Sequence, residues 1–150
     1  LTPVTRIASE LIRGGAGAGT PLPLLVPQVD GDGNERAGIR LPDVAVPLAT
    51  YPGWNFRRPA IGAPDRIVPL LGSYVPFPRT AAEREAQRDP RRSIAERYPS
   101  RDSYMSQIAQ SAAALVKDGF LLEEDTVHVT RRAADHWDLL MRATTTSAQR

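Results

Sequence analysis

The sequence predicts an α+β fragment: a proline-rich N-terminal half with a short β-hairpin, then a C-terminal antiparallel helical hairpin. Twelve of the 14 prolines and ten of the 11 glycines lie in residues 1–78, whereas residues 100–150 hold no proline and one glycine, Gly119. Proline removes a backbone donor and blocks helix interiors, so the first half is restricted to turns, loops and short strands. The 150 residues, 41% of them hydrophobic, leave room for one domain and one modest core.

Three stretches follow: 1–23, a helix and a Gly-rich linker; 24–78, a hairpin and a wrapping segment; 79–150, helices. Pro3 to Arg13 reads as a short helix with Ile7, Leu11 and Ile12 on one side and Gly14 as its stop. Gly14 to Pro23 is the linker. Leu24–Val29 and Arg36–Leu41 are β-type runs around Asp30-Gly-Asp-Gly-Asn34, whose Asp-Gly pairs suit a hairpin turn. From Pro42 to Pro78 a proline recurs every few residues, which allows edge strands and an extended path.

The helical half opens on two capping boxes, Thr80 with Glu83 and Ser93 with Glu96. A helix from about Arg101 to Asp118 carries Tyr104, Met105, Ile108, Ala112, Leu115 and Val116 on one face and stops at Gly119. Its partner, from about Glu123 to Arg142, repeats Val127, Thr130, Ala134, Trp137 and Met141, after an acidic start that suits the positive end of the helix dipole. The short link between them makes the two helices antiparallel neighbours. Thr144 to Arg150 is expected to fray.

Composition excludes several functions. There is no cysteine, so disulfides, thiolate zinc sites and cysteine nucleophiles are absent. Nineteen basic against 17 acidic side chains gives +2, too balanced to imply nucleic acid or an anionic membrane as partner. Eighteen of the basic residues are arginine; the seven between Arg79 and Arg101 interleave with Glu83, Glu85, Asp89 and Glu96, which reads as a solvated, salt-bridged surface. No apolar run approaches the ~20 residues of a membrane span. Residue 1 is Leu, and no basic stretch leads into an apolar one, so the reading expects no signal peptide and a piece of something longer.

Chemical motifs fail in informative ways. Asp30-x-Asp32-x-Asn34 matches the first ligands of a calcium loop, but Glu35 stands where that loop needs Gly and Leu41 where it needs a bidentate Glu. A polar turn explains the same residues. Gly14-Gly-Ala-Gly-Ala-Gly19-Thr20 has the glycines of a phosphate cradle without its lysine. No Gly-x-Ser-x-Gly pentapeptide occurs, and Gly72-Ser73-Tyr74 lacks its spacing. His128 and His136, eight residues apart on one helix, point about 80° apart and do not converge. His136 reads as a surface histidine beside a core tryptophan. The sequence therefore assigns no catalytic residue, no metal ligand and no cofactor.

Thr50-Tyr-Pro-Gly-Trp-Asn-Phe-Arg57 is the segment a bland reading serves worst. Aromatics concentrated in a loop either anchor it on another surface or line a cleft. Tyr51, Trp54, Asn55 and Arg57 are the candidate site residues, with anchoring favoured because an irregular chain must bury something to stay ordered.

Several segments in order resemble a known family. Leu25-Val-Pro-Gln-Val-Asp-Gly-Asp-Gly-Asn-Glu35, Gly38-Ile-Arg-Leu-Pro-Asp43, Val46-Pro-Leu-Ala-Thr-Tyr-Pro-Gly-Trp-Asn55, Gly72-Ser-Tyr-Val-Pro-Phe-Pro-Arg-Thr80, Asp89-Pro-Arg-Arg-Ser-Ile-Ala-Glu-Arg-Tyr98 and Phe120-Leu-Leu-Glu-Glu-Asp125 are similar to the C-terminal region of large bacterial alpha/beta-hydrolase domain-containing proteins. The resemblance spans roughly Leu24 to Trp137. It implies a longer parent with a doubly wound parallel sheet and a serine-hydrolase mechanism on esters or related acyl substrates. None of the parent's catalytic motifs transfers to this chain. Its implied partner is the upstream hydrolase region of the same parent, with no nucleic acid and no membrane. The other reading is an independent protein-binding module that uses the Tyr51–Arg57 loop or the Arg79–Arg101 helices.

Overall fold

The computed structural model describes residues 2–4, 24–62, 64, 67–68 and 71–142. Strand β1 (Thr2–Val4) pairs antiparallel with β2 (Leu24–Val26), Thr2 opposite Val26. Pro3 thus stands in a strand, where its missing donor is tolerated at an edge, and not at the head of the predicted helix. The rest of that helix, and the Gly-rich linker, lie outside the described residues.

The chain does reverse at Asp30–Asn34, through a shorter ladder than predicted. Val29 bridges Glu35, the Asp30 amide donates to the Asn34 carbonyl at 2.8 Å, and the Arg36 amide to the Gln28 carbonyl at 2.9 Å. Arg36–Leu41 forms no strand, because Arg40 folds back onto the Asp30 carboxylate at 3.2 Å and the Val44 carbonyl at 2.6 Å. Helix α1 (Pro42–Ala45) follows where only strands and extended chain were expected. Pro42 sits in its first turn, where no N–H is needed and the fixed φ already suits a helix.

The wrapping segment then makes two minimal ladders. Strand β3 (Ala49–Thr50) pairs with β6 (Val75–Pro76), and β4 (Asn55–Phe56) with β5 (Ile67–Val68), both antiparallel. A 3-10 turn, Pro59–Ile61, lies between β4 and β5. Among the described residues there is no doubly wound parallel sheet.

Both predicted caps start helices. Thr80 caps α2 (Ala81–Gln87) by accepting from the Glu83 amide at 3.2 Å, while Glu83 reaches past it to accept from the Arg79 amide at 2.9 Å. The reciprocal box is complete only at α3 (Ile94–Arg97), between Ser93 and Glu96. Helix α4 (Arg101–Lys117) is capped by Ser100, and α5 (Thr126–Arg142) follows a 3-10 turn at Glu123–Asp125. Gly119, at φ 77°, supplies the left-handed residue that ends the first helix of the pair.

One core joins the two halves. Val46, Leu48, Ala49 and Phe77 from the proline-rich segment are buried with Ile94, Tyr98, Tyr104, Ile108, Ala133 and Trp137. Trp137 stacks on Tyr104, ring centroids 5.1 Å apart at 26°, and Tyr98 meets both rings edge-on. The buried stripe of α5 is Ala133 and Trp137, with Leu140 beside it. Val127 and Met141, predicted on that stripe, are exposed. Val127 lies about 80° round the helix from Trp137. Met141 sits past Asp138, which pairs with Arg101 at the first turn of α4 at 3.0 Å, so no partner helix faces it.

The arginines before α4 are not all a solvated surface. Arg91 grips Asp89, donates to Thr50 Oγ1 at 2.8 Å and to the Val75 carbonyl at 3.0 Å, and its side chain is 15% exposed. Arg97 holds Asp32 through two bonds, one of 2.7 Å, and is 14% exposed. Both guanidinium groups lie over the Phe77 ring, at 5.2 and 4.2 Å. Ties between residues so far apart in sequence leave no local pattern to read.

Candidate functional site

The Tyr51–Arg57 segment divides in two. Tyr51 turns inward because its amide is fixed to Asn34 Oδ1 at 2.8 Å, and Asn34, fully buried, also donates to the Ala49 carbonyl at 3.0 Å. Trp54 and Phe56 turn outward, 41% and 54% exposed, and meet edge to face at 5.1 Å. Asn55 accepts its neighbour's amide, from Phe56, at 2.8 Å and is exposed; Arg57 is half-buried. The four candidate residues therefore do not converge on one point. Trp54 and Asn55 face out, while Tyr51 joins a cluster that the sequence did not reveal.

That cluster is built from three elements. Tyr51 packs on Tyr74 at 5.9 Å, and the Tyr74 hydroxyl lies 2.5 Å from His136 Nε2 of α5. Asp43 of α1 pairs with Arg132, one turn before His136. The Tyr51 hydroxyl is buried without a hydrogen bond of good geometry. Burial, and then the Asp43 charge, pushes its pKa above the ordinary tyrosine value. Burial also lowers the pKa of His136, against Asp43, which raises it. His136, read from sequence as a surface residue, is half-buried here. Sixty-two residues separate it from Tyr74, so no local spacing could have signalled the pair.

Nucleophilic chemistry has no assembled pair at this place. His136 is engaged by Tyr74, whereas the Ser73 hydroxyl donates to the Trp54 carbonyl at 2.8 Å. An activated serine needs its hydroxyl on the base. The acidic turn is likewise occupied: Asp30 Oδ1 accepts the Asp32 and Asn34 amides at 2.9 and 3.0 Å, and the Asp32 carboxylate belongs to Arg97. Among the described residues no group of three or more His, Asp or Glu side chains is placed to hold a metal ion. Beside this turn lies an open groove of about 290 Å³, with Asp30, Asp32, Arg40, Arg92, Arg97 and Tyr98 among its walls. Its opposite charges are largely paired with one another. No helix among the described residues is long and apolar enough to cross a membrane.

A family model described as "alpha/beta hydrolase domain" matches residues 3–131. No curated protein matches the chain, and no solved structure does. The match takes in both ladders of the wrapping segment, all of α4 and the first turns of α5, so it follows the fold's framework and not one motif. On that extent of agreement, the chain belongs to the alpha/beta hydrolase domain family.

Proposed function

We propose that this chain is the C-terminal structural segment of an alpha/beta-hydrolase-type protein whose full form cleaves esters or related acyl substrates, and that it is inactive in isolation. The observation that carries the reading is a family match over residues 3–131 in a sequence without a Gly-x-Ser-x-Gly elbow. In such a parent the serine attack, the histidine base and the oxyanion donors come from the upstream region. This segment buttresses that body, and the exposed Trp54–Phe56 pair supports a docking role, since paired aromatics left open to water favour burial on a partner. The test is hydrolysis of short-chain nitrophenyl esters by the chain alone. No turnover above buffer is expected, and turnover that disappears in Ser73→Ala overturns the reading.

A second reading, an independent protein-binding module, draws support from the burial of Val46, Leu48 and Phe77 in the chain's own core. For that module the Tyr51–Arg57 loop is the better surface. Arg91 and Arg97 of the Arg79–Arg101 stretch are already engaged inside the chain. Upstream coding sequence separates the two readings: an open frame running into an elbow serine supports the first, and a start codon directly before Leu1 the second.

A further inference from the structure

The proline-rich segment and α5 meet through a contact that docking does not use. Tyr74 lies next to β6, its hydroxyl 2.5 Å from His136 Nε2 and its ring 5.5 Å from the imidazole. The adjacent Ser73 donates its amide to the Pro52 carbonyl at 2.9 Å and its hydroxyl to the Trp54 carbonyl at 2.8 Å. Whatever holds Tyr74 therefore also holds the base of the Trp54–Phe56 loop.

We propose that Tyr74 and His136 form a proton-operated latch, which ties the Trp54–Phe56 loop to α5 while the imidazole is neutral and releases it when the imidazole gains a proton. In the closed form the Tyr74 hydroxyl donates to Nε2 and the ring proton sits on Nδ1. Protonation places a second hydrogen between the same two atoms. The hydroxyl must then turn to accept, and the half-buried imidazole, beside a Tyr74 ring that itself packs on Tyr51, must carry a charge away from water. Two charged groups bear on it: Asp43 of α1 favours the cation, Arg132 of α5 opposes it, and they are paired with each other. From α4 the nearby titratable group is Tyr104, whose raised pKa keeps it neutral.

Burial is the largest influence on His136 and holds its folded pKa below the ordinary value of 6.5. The unfolded or opened form therefore binds the proton better. The latch's stabilisation is complete above that ordinary value and is lost as pH falls through the lower, folded one. The latch needs only contacts within this chain, so it stands or fails apart from the docking role.

The test follows the His136 ring proton and the Ser73 amide of the full chain by NMR between about pH 8 and about pH 5, with exchange corrected for its intrinsic pH dependence. His136 is expected to titrate below its ordinary value, and Ser73 protection to fall about three- to tenfold across the range. His136→Gln can still accept from Tyr74 but cannot gain a proton, so its Ser73 protection should be flat. Tyr74→Phe should move the His136 titration toward its ordinary value. A His136 titration at or above that value, or a pH step that survives in His136→Gln, overturns the latch. If the variants do not fold, the wild-type chain decides by both readouts together: Ser73 protection that stays flat while His136 titrates overturns the latch.

Discussion

Asn34 shows how much one side chain can organise. Its amide group donates to the Ala49 carbonyl and accepts from the Tyr51 amide, so it joins the Asp30 turn to the start of the wrapping segment from a fully buried position. Asn34→Ala leaves the buried Ala49 carbonyl and the partly buried Tyr51 amide unpaired, and should cost about 2–4 kcal/mol in urea unfolding. In sequence Asn34 was legible only as the end of a polar turn and the third ligand of an incomplete calcium loop. The polar pattern of the turn could be read, but its partners lie 15 and 17 residues away. Trp137 was easier, because helical spacing marks it as apolar core. With Trp137 7% exposed and stacked on Tyr104, Trp137→Ala should cost ~3–5 kcal/mol by calorimetry or denaturant, as both burial and packing are lost.

At the scale of elements, what was legible was what is local. Ser93 with Glu96 fixes a helix start within four residues, and Gly119 fixes a helix end, so the helical hairpin was readable to within a residue or a turn. Strand pairing was not. β3 finds β6 across about 25 residues, and nothing in either two-residue strand names the other. The one-turn helix at Pro42 was missed because proline counts against helices everywhere except their first turn. Two glycines separate backbone strain from crowding. Gly119 (φ 77°) has open space where a Cβ would stand, so Gly119→Ala should cost about 1–2 kcal/mol from its left-handed backbone alone. At Gly33 (φ 81°) an added Cβ would lie 2.9 Å from the Thr50 methyl, so Gly33→Ala should cost clearly more in the same unfolding assay.

For the whole molecule, the decisive fact is that the core is shared. From sequence, Pro42 to Pro78 reads as an extended, wrapping path whose loop aromatics anchor on another surface. Trp54, Phe56 and Tyr74 are indeed exposed, but Val46, Leu48, Ala49 and Phe77 are buried against the helices. Hydrogen exchange on the isolated chain should therefore show a mosaic: slow amides in α4 and α5 and at Phe77, which donates to Leu48 at 3.0 Å, and fast ones around Trp54–Phe56. Uniformly fast exchange from residue 42 to residue 78 would mean that the shared core does not hold without a partner.

The contact of Arg91 and Arg97 with the Phe77 ring has a consequence for chain continuity. Those two arginines reach Thr50 and Asp32, on the N-terminal side of the Arg57–Arg58 junction, while Phe77 and the arginines themselves lie on the C-terminal side. Leu48 and Ala49 cross the same divide to reach Phe77 and Pro76. The covalent bond at that junction is thus bypassed by ion pairs, a strand pairing and a common core. Fragments 1–57 and 58–150, produced separately, should reassemble into a native-like complex, which makes this loop a place to split the protein into a complementing pair.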